Sequence, residues 1–386
     1  MTARERAAAA IGATRDRLLE ISHWMYENPE VAYHEFDTSA RLVEFLGDQG
    51  FEVEYPAYGL DTAFAARVGG EGRPHVVICA EYDALPGVGH ACGHNIIAGS
   101  AIGAGAALAP LADELGIRLT VLGTPAEEHY GGKVDLIQAG AFDGVAAAMM
   151  IHPSTDDVVD PKVIAVAHID VHYRGKEAHA SAHPQLGVNA LDAFVQAYVN
   201  VSTLRQAIYP TDKIHGIIRD GGHAPNIIPA YTRSSWYVRA ETKERLDDLF
   251  PRVVACFEAA ALATGCTVEV EHVGHTYTEL ISDKTLVEYF AANSAELGRP
   301  MRRGREVPSG QAGSTDMGNV SMLVPSIHPM IDIAATPHVN HQPEFAAHTI
   351  TPDGDKAIVD GATAMAWTVI DLAENQAWDR LGTPVG

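Results

Sequence analysis

Cysteine is scarce in this chain: Cys79, Cys92, Cys256 and Cys266 are the only four among 386 residues. They are too few and too scattered for a disulfide framework at this length, so a reducing, cytoplasmic setting is expected. Basic residues are also short, 27 against 50 acidic ones, for a formal net charge of -23. That balance repels phosphate backbones and anionic lipid over most of the surface, and neither nucleic acid nor a membrane is expected as a partner. There is no unbroken apolar run of the roughly 18 residues that a membrane span needs. The first thirty residues alternate charged and apolar side chains instead of following a basic cluster with an apolar stretch, which reads as an amphipathic helix and not a signal peptide. No internal repeat, low-complexity tract or disordered linker stands out.

What is present fits a folded protein: 47% hydrophobic and 20% charged residues, with length for one elaborated domain or two. After the opening helix, a periodic segment from Phe36 to Leu46 leads to short β-rich runs at Phe51 to Tyr55, Ala63 to Val68 and His75 to Ala80. Ile96 to Leu111 is nearly all Ala, Gly, Ile and Leu, as in a helix packed tightly on a sheet. Buried-type strands at Arg118 to Gly123 and Ala146 to Ile151 bracket a helix near Val134 to Gln138. Strands alternating with helices predict an α/β catalytic domain with a mixed, mainly parallel sheet flanked by helices.

Near residue 165 the pattern changes. Strands with alternating polar and apolar residues are expected at VIAVAHIDVHYRG, Lys213 to Arg219, Thr232 to Arg239 and Cys266 to His272, with helices at about Gly187 to Gln206 and Lys243 to Thr264. This describes an α+β domain with a half-exposed antiparallel sheet and two helices. The expected organisation is residues 1–171 and 283–386 forming the catalytic domain, with 172–282 inserted.

Nineteen histidines are many for this length, and several stand beside Cys, Glu or Gly. The candidate ligands fall where apolar strands end: Asp83, His90, Cys92 and His94 after one, Glu127 and Glu128 after the next, His152 after a third. In an open α/β sheet, the crevice at the carboxyl ends of the strands is where ligands bind, so these segments are expected to converge. Cys, His and Glu bind zinc-like cations, and a thiolate can bridge two of them. Of two adjacent carboxylates, one can ligate while the other carries a proton, a division of labour that suits hydrolysis. Bound divalent ions would also supply the local positive charge that an anionic substrate needs at so acidic a surface.

Plainer readings compete. A lone His90 or His338 is usually a core or surface residue, a Glu pair is usually solvated, and Cys79 in an apolar strand is packing. Cys92 with His94 could also be a thiol nucleophile and its base. Two residues apart in a loop, they are better placed to share a cation.

In order along the chain, ENPE, AEYDALPG, ACGHN, PAEEHYGG, GKEAHASAHPQLGVNALDA, GGHAPNIIP, GSTDMGNVS and NHQPEF resemble the co-catalytic metallohydrolase family of carboxypeptidase G, aminoacylase and peptidase T. Within it they are most similar to the branch of aminobenzoyl-glutamate hydrolase, indole-acyl amino acid hydrolases and β-alanyl-lysine dipeptidase-like proteins. The resemblance spans about residues 15 to 375. It implies two divalent ions per subunit, zinc first, with manganese, nickel or cobalt as alternatives. Cys92 would bridge them, His94 and His152 would complete one shell, and Glu128 and His341 the other. It makes Glu127 the general base and Asp83 the carboxylate that orients a ligand histidine. It also makes the inserted domain a lid and dimerisation domain. Its His179 would polarise the scissile carbonyl from the neighbouring subunit of a homodimer, and Asn226 and Arg239 would hold the substrate's carbonyl and carboxylate ends.

The sequence departs from the pattern twice. Asn95 stands where the indole-acyl branch has Asp, which favours the aminobenzoyl-glutamate and dipeptidase side, and His129 and Tyr130 stand where small glycines are common and would narrow the pocket. The expected activity is hydrolysis of the amide bond of an N-acyl amino acid or small dipeptide. The rival readings are a catalytically silent metal- or ligand-binding member and a cysteine hydrolase using Cys92.

Overall fold

The computed structural model describes residues 1–306 and 312–382. In chain order the strands are β1 (Glu52–Glu54), β2 (Phe64–Val68), β3 (His75–Glu81), β4 (Arg118–Thr124), β5 (Ala147–Met149), β6 (His152–Ser154), β7 (Ala165–Arg174), β8 (Lys213–Asp220), β9 (Tyr231–Ala240), β10 (Thr267–His272), β11 (Ser326–Ile327) and β12 (Met330–Asp332). The chain forms two compact units, Met1–Lys162 with Leu280–Gly386, and Val163–Glu279. The second unit begins before the expected residue 172. β7 pairs with β9 from Ala165 through Arg174, so the whole strand belongs to the inserted unit.

The first unit holds a six-stranded sheet in the order β1-β2-β4-β3-β5-β11. β3 runs parallel to β4 and β5, and β5 parallel to β11, while β1 and β2 add an antiparallel edge. β3 and β4 are buried at every position but the first, which explains their unbroken apolar runs: helices cover both faces. This is the expected mixed, mainly parallel sheet flanked by helices. The expected single strand at Ala146–Ile151 instead ends at Met149, and the chain resumes at β6, which pairs in parallel with β12 in a separate two-stranded sheet. Strands of two or three residues carry too few positions for a periodic signal.

The helix His94–Leu108 is buried at all of its positions. It lies between the helices Ala3–Glu27 and Pro352–Glu374 and the sheet. A Cβ at Gly103 would stand 2.9 Å from Leu18 Cδ1 and 3.1 Å from Ala362 Cβ, so the three helices approach each other closely only because glycine is there. Counting unbroken apolar runs underestimates this segment. By length and composition His94–Leu115 could cross a membrane, but 89% of its apolar window is buried within the protein, and core packing accounts for its character.

The second unit is an antiparallel sheet in the order β10-β7-β9-β8, with the expected α+β build. Val171, Tyr173, Trp236 and Val238 point into a core shared with the helices Ala190–Leu204 and Lys243–Thr264. Asn189 caps the first of these helices by accepting from the Leu191 and Asp192 amides, and Thr242 caps the second by accepting from Arg245 N–H.

Candidate metal centre

Because β3, β4 and β5 are parallel, their carboxyl ends share one edge of the sheet, and the chemistry-bearing loops leave from it. Glu81 ends β3, with Asp83, Cys92 and His94 following; Glu127 and Glu128 follow β4; His152 begins β6 just beyond β5. Gly93 turns the chain between Cys92 and His94 at φ 76°, where a Cβ would also strike Pro153 Cγ at 2.7 Å. Ala126 (φ 61°) and His341 (φ 72°) adopt the left-handed conformation without being glycine. Each such residue costs on the order of 1–3 kcal/mol unless its surroundings fix it. Ala126 N–H donates to Glu35 Oε1 at 3.0 Å, and His341 N–H to Ala91 O at 2.9 Å.

Donor atoms of Cys92, His94 and His152 lie within 4.8 Å of one another, as do those of Cys92, Glu128 and His341. Cys92 belongs to both groups. His94 Nδ1 pairs with Asp83 Oδ1 at 3.0 Å, and His152 Nδ1 with Pro153 O at 2.7 Å, so each imidazole has Nε2 left to face a cation. The other Asp83 oxygen accepts from Glu128 N–H at 3.0 Å, so one carboxylate sets both a histidine ring and the turn that carries the Glu pair. Among the described residues, buried His94 Nε2, Glu128 Oε1 and Glu81 Oε2 have no hydrogen-bond partner. Unpaired buried polar atoms are costly, and thiol, imidazole and carboxylate donors around them fit a pair of divalent cations.

The local field points the same way. Burial pulls the His94 imidazole down, but Asp83, Glu81 and Glu128 more than offset it and hold it well above the ordinary histidine range. A field that attracts a proton this strongly also attracts a metal ion. Burial, with Glu128, Glu127 and Glu81, pushes the Cys92 thiol well up. A thiolate there needs a cation, and the surrounding carboxylates disfavour the free nucleophile of the cysteine-hydrolase reading. Burial, with Glu81, Glu128 and Asp316, also raises Glu127 well above the carboxylate range, toward a group that can hold a proton.

Among the described residues, the other candidates belong to none of these donor groups. His129 and Tyr130 are exposed on the turn after Glu128, and Tyr130 packs against Tyr33 at 5.6 Å between ring centroids. Asn95 faces the helices: its Nδ2 donates to Ser22 Oγ at 3.0 Å and Thr349 Oγ1 at 3.2 Å. In this chain its difference from Asp is therefore a packing feature. His90 is buried in the first unit, and Cys79 packs in its core.

In the second unit His179 is exposed and bridged to Ile227. Its Nδ1 accepts from Ala182 N–H at 3.2 Å and from Ser181 N–H at 3.4 Å, which puts the proton of the neutral ring on Nε2. Asn226 O accepts from Ala180 N–H at 3.0 Å, so Asn226 and His179 are close neighbours. Arg239 is half-buried near the far end of β9, its guanidinium 5.5 Å from the Tyr237 ring centroid. Tyr231, at the other end of β9, pairs with Arg174 five residues before His179, and Arg239 is about 26 Å along the strand from it at roughly 3.3 Å per residue, so it is not grouped with His179.

Four further residues near these donors are not singled out by the sequence. Glu81, Lys133 and Asp316 form a fully buried ion triad, with the Lys133 ammonium between the two carboxylates. Burial pulls that ammonium down, but Asp316 and Glu81 more than offset it. His328 is buried with both ring nitrogens unpartnered among the described residues, its centroid 5.4 Å from that of His152. Glu81 and Asp316 stand inside the motifs AEYDALPG and GSTDMGNVS; Lys133 and His328 lie among apolar neighbours and carry no local signal.

A mainly parallel sheet that gathers thiol, imidazole and carboxylate donors at one edge, with an antiparallel domain inserted, defines the class: a metal-dependent α/β hydrolase. Residues 77–366 match the Peptidase family M20/M25/M40, and the chain belongs to that family, whose members hydrolyse peptide and amide bonds with metal. It is 41% identical over 387 residues to the Xaa-Arg dipeptidase of Mus musculus, covering 96% of this chain and 88% of that protein. It is 31% identical to one chain of the p-aminobenzoyl-glutamate hydrolase of Escherichia coli (strain K12), covering 67% of this chain and 58% of that one. The fold matches a dinuclear metal binding peptidase from Bacillus subtilis with a TM-score of 0.71 at 21% identity, covering 94% of this chain and 99% of that one. The motifs singled out in the sequence resemble this same branch.

Proposed function

We propose that the chain hydrolyses the amide bond of a dipeptide or N-acyl amino acid at a centre of two divalent cations, zinc first, held by Cys92, His94, His152, Glu128 and His341. The observation that carries this reading is the pair of donor groups joined at Cys92 with Glu127 beside them. Two such cations supply Lewis acidity, acidifying water and polarising the scissile carbonyl. Glu127 takes the proton from the attacking water and delivers it to the leaving amine, which balances the hydrolysis; its raised pKa suits that exchange. Asp83 holds His94 in the ligating tautomer.

The reading makes the protein a homodimer in which His179 serves the partner's cations, donating from Nε2 to the developing oxyanion. An exposed apolar surface in the second unit supports this. Ile217 and Ile218 on the outer strand β8, and Val195, Tyr198 and Val199 on the helix Ala190–Leu204, are all exposed. Asn226, beside His179, takes the carbonyl end of the substrate, with His129 and Tyr130 at its rim; Arg239, far along β9 from both, reaches the carboxylate end only from the other subunit. The four free thiols suit a reducing cytoplasm. Dipeptides with a basic C-terminal residue come first as substrates, because the relative at 41% identity is an Xaa-Arg dipeptidase and a net charge of -23 draws cationic molecules.

The test is a hydrolysis panel on metal-reconstituted protein: Xaa-Arg and Xaa-Lys dipeptides, N-acyl amino acids and p-aminobenzoyl-glutamate, with products identified. Turnover that vanishes with chelator and returns with metal is expected. Turnover that survives chelation but is lost on thiol alkylation would establish the cysteine mechanism instead, and no turnover on any substrate would leave the silent reading standing.

A further inference from the structure

Glu81 is wholly buried at the end of β3, and its two carboxylate oxygens have different surroundings. Oε1 takes the Lys133 ammonium, which also donates to Asp316 Oδ1 at 2.8 Å, while Lys133 N–H donates to Asp316 Oδ2 at 2.9 Å. The lysine is therefore pinned at both its backbone and its side chain, and it fixes Glu81 in turn. Among the described residues Oε2 accepts no hydrogen bond, and it faces His94 Nε2 at 3.5 Å. That nitrogen is the ligating one, because Nδ1 is committed to Asp83. A separation of 3.5 Å is long for a hydrogen bond. It is the spacing of two donors on one cation, since ligands about 2.0–2.2 Å from a metal stand roughly 3–3.5 Å apart.

We propose that Glu81, clamped by Lys133, supplies an oxygen ligand to the cation held by His94. This rests on the metal-centre reading above and extends its ligand set. Glu81 shares a donor group with His94 and Glu127, so it reaches the His94 cation from the Glu127 side and adds a fourth donor to Cys92, His94 and His152, against Cys92, Glu128 and His341 for the second cation. The two sites are then unequal: the four-donor site fills first, and the other keeps more of its shell open to water and substrate. Lys133, shared with Asp316, offsets part of the added negative charge, and a carboxylate shared between an ammonium and a metal leaves neither oxygen unpaired.

The full-length chain is stripped of metal and titrated with Co2+ against a chromophoric chelator, and the visible d–d absorption is recorded at each equivalent. Wild type is expected to bind two ions, the first more tightly. Glu81→Gln should weaken the tighter site at least about 10-fold and leave the other unchanged. Its d–d bands should also intensify, because intensity rises as the coordination number falls. Glu81→Asp keeps the charge facing Lys133 but withdraws the carboxylate by about one carbon–carbon bond, ~1.5 Å, and should show the same loss. Circular dichroism melts identify a variant that has not folded, in which case the other variant decides. Unchanged affinities in the folded variants overturn the proposal. So does weakened affinity with the wild-type spectrum, which would make Glu81 a positioning residue. A wild type that binds fewer than two ions overturns the two-cation centre itself, a result distinguishable from either of these.

Discussion

Glu127 and Glu128 are neighbours in the chain, yet their carboxylates fall into different donor groups: Glu127 with Glu81 and His94, Glu128 with Cys92 and His341. The split is built by the turn. Ala126 enters it with a left-handed backbone held by Glu35, and Glu128 N–H is tied to Asp83. Adjacent residues of one type thereby reach different surroundings.

Neighbouring substitutions should therefore fail differently. Glu127→Gln is expected to keep near-normal metal content and lose roughly 10²- to 10⁴-fold in turnover. Glu128→Gln should lose bound metal as well. Metal analysis of the purified variants beside their kcat decides this, and equal metal loss in both contradicts the division of roles.

Cys92 gives a chemical readout that needs no substrate. Its thiol is pushed up by burial and by Glu128, Glu127 and Glu81, and a bound cation would turn it into a coordinated thiolate. Peptide mapping after timed alkylation should show Cys92 labelled more slowly in the metal-loaded chain than in the stripped one. Cys79 and Cys266, buried in the cores, should show no such difference. Equal labelling of Cys92 in both states argues against its role as a ligand.

Much of this site was legible because its residues sit in short motifs at the ends of strands, and strand ends are marked by where apolar runs stop. β3 and β4 are read to within a residue or two, and the helix Lys243–Thr264 at both ends. The legibility fails where the reason for a residue lies across the fold. Lys133 resembles any surface lysine until Glu81 and Asp316, far away in sequence, close on it. Asn95 resembles a change in the active site until Ser22 and Thr349 account for its Nδ2. The pair β6 and β12 is too short to announce itself and depends on parallel partners far apart in the chain.

Glu35 provides a pH test of stability. Burial, with Asp83, pushes its carboxyl up to about 7 from an ordinary 4.5. The folded chain thus keeps a proton that the unfolded chain releases. The resulting contribution is complete below about pH 4.5 and is lost as pH rises through 7, at most roughly 3 kcal/mol at about 1.4 kcal/mol per pH unit. Glu35→Gln imitates the protonated form and still offers an oxygen to Ala126 N–H. In metal-free protein, wild type should therefore lose stability relative to Glu35→Gln between about pH 5 and pH 8, measured by urea melts. Parallel pH profiles would rule out the raised carboxyl.

The shared-site reading makes the sharpest demand. If His179 serves the cations of the partner subunit, each site in a mixed dimer of Glu127→Gln and His179→Ala chains takes its base from one chain and its histidine from the other. One of the two sites is then intact, although both parent homodimers are inactive. With equal amounts and random exchange about half of the dimers are mixed, so about a quarter of wild-type activity should return under two-fold symmetry. If His179 instead serves its own chain, no site in any dimer holds both residues, and mixing recovers nothing. Co-expression with two affinity tags isolates the heterodimer directly. A confirmed heterodimer with no activity above either parent would sink the shared site and leave the metal ligands untouched, because no ligand residue is changed in either chain.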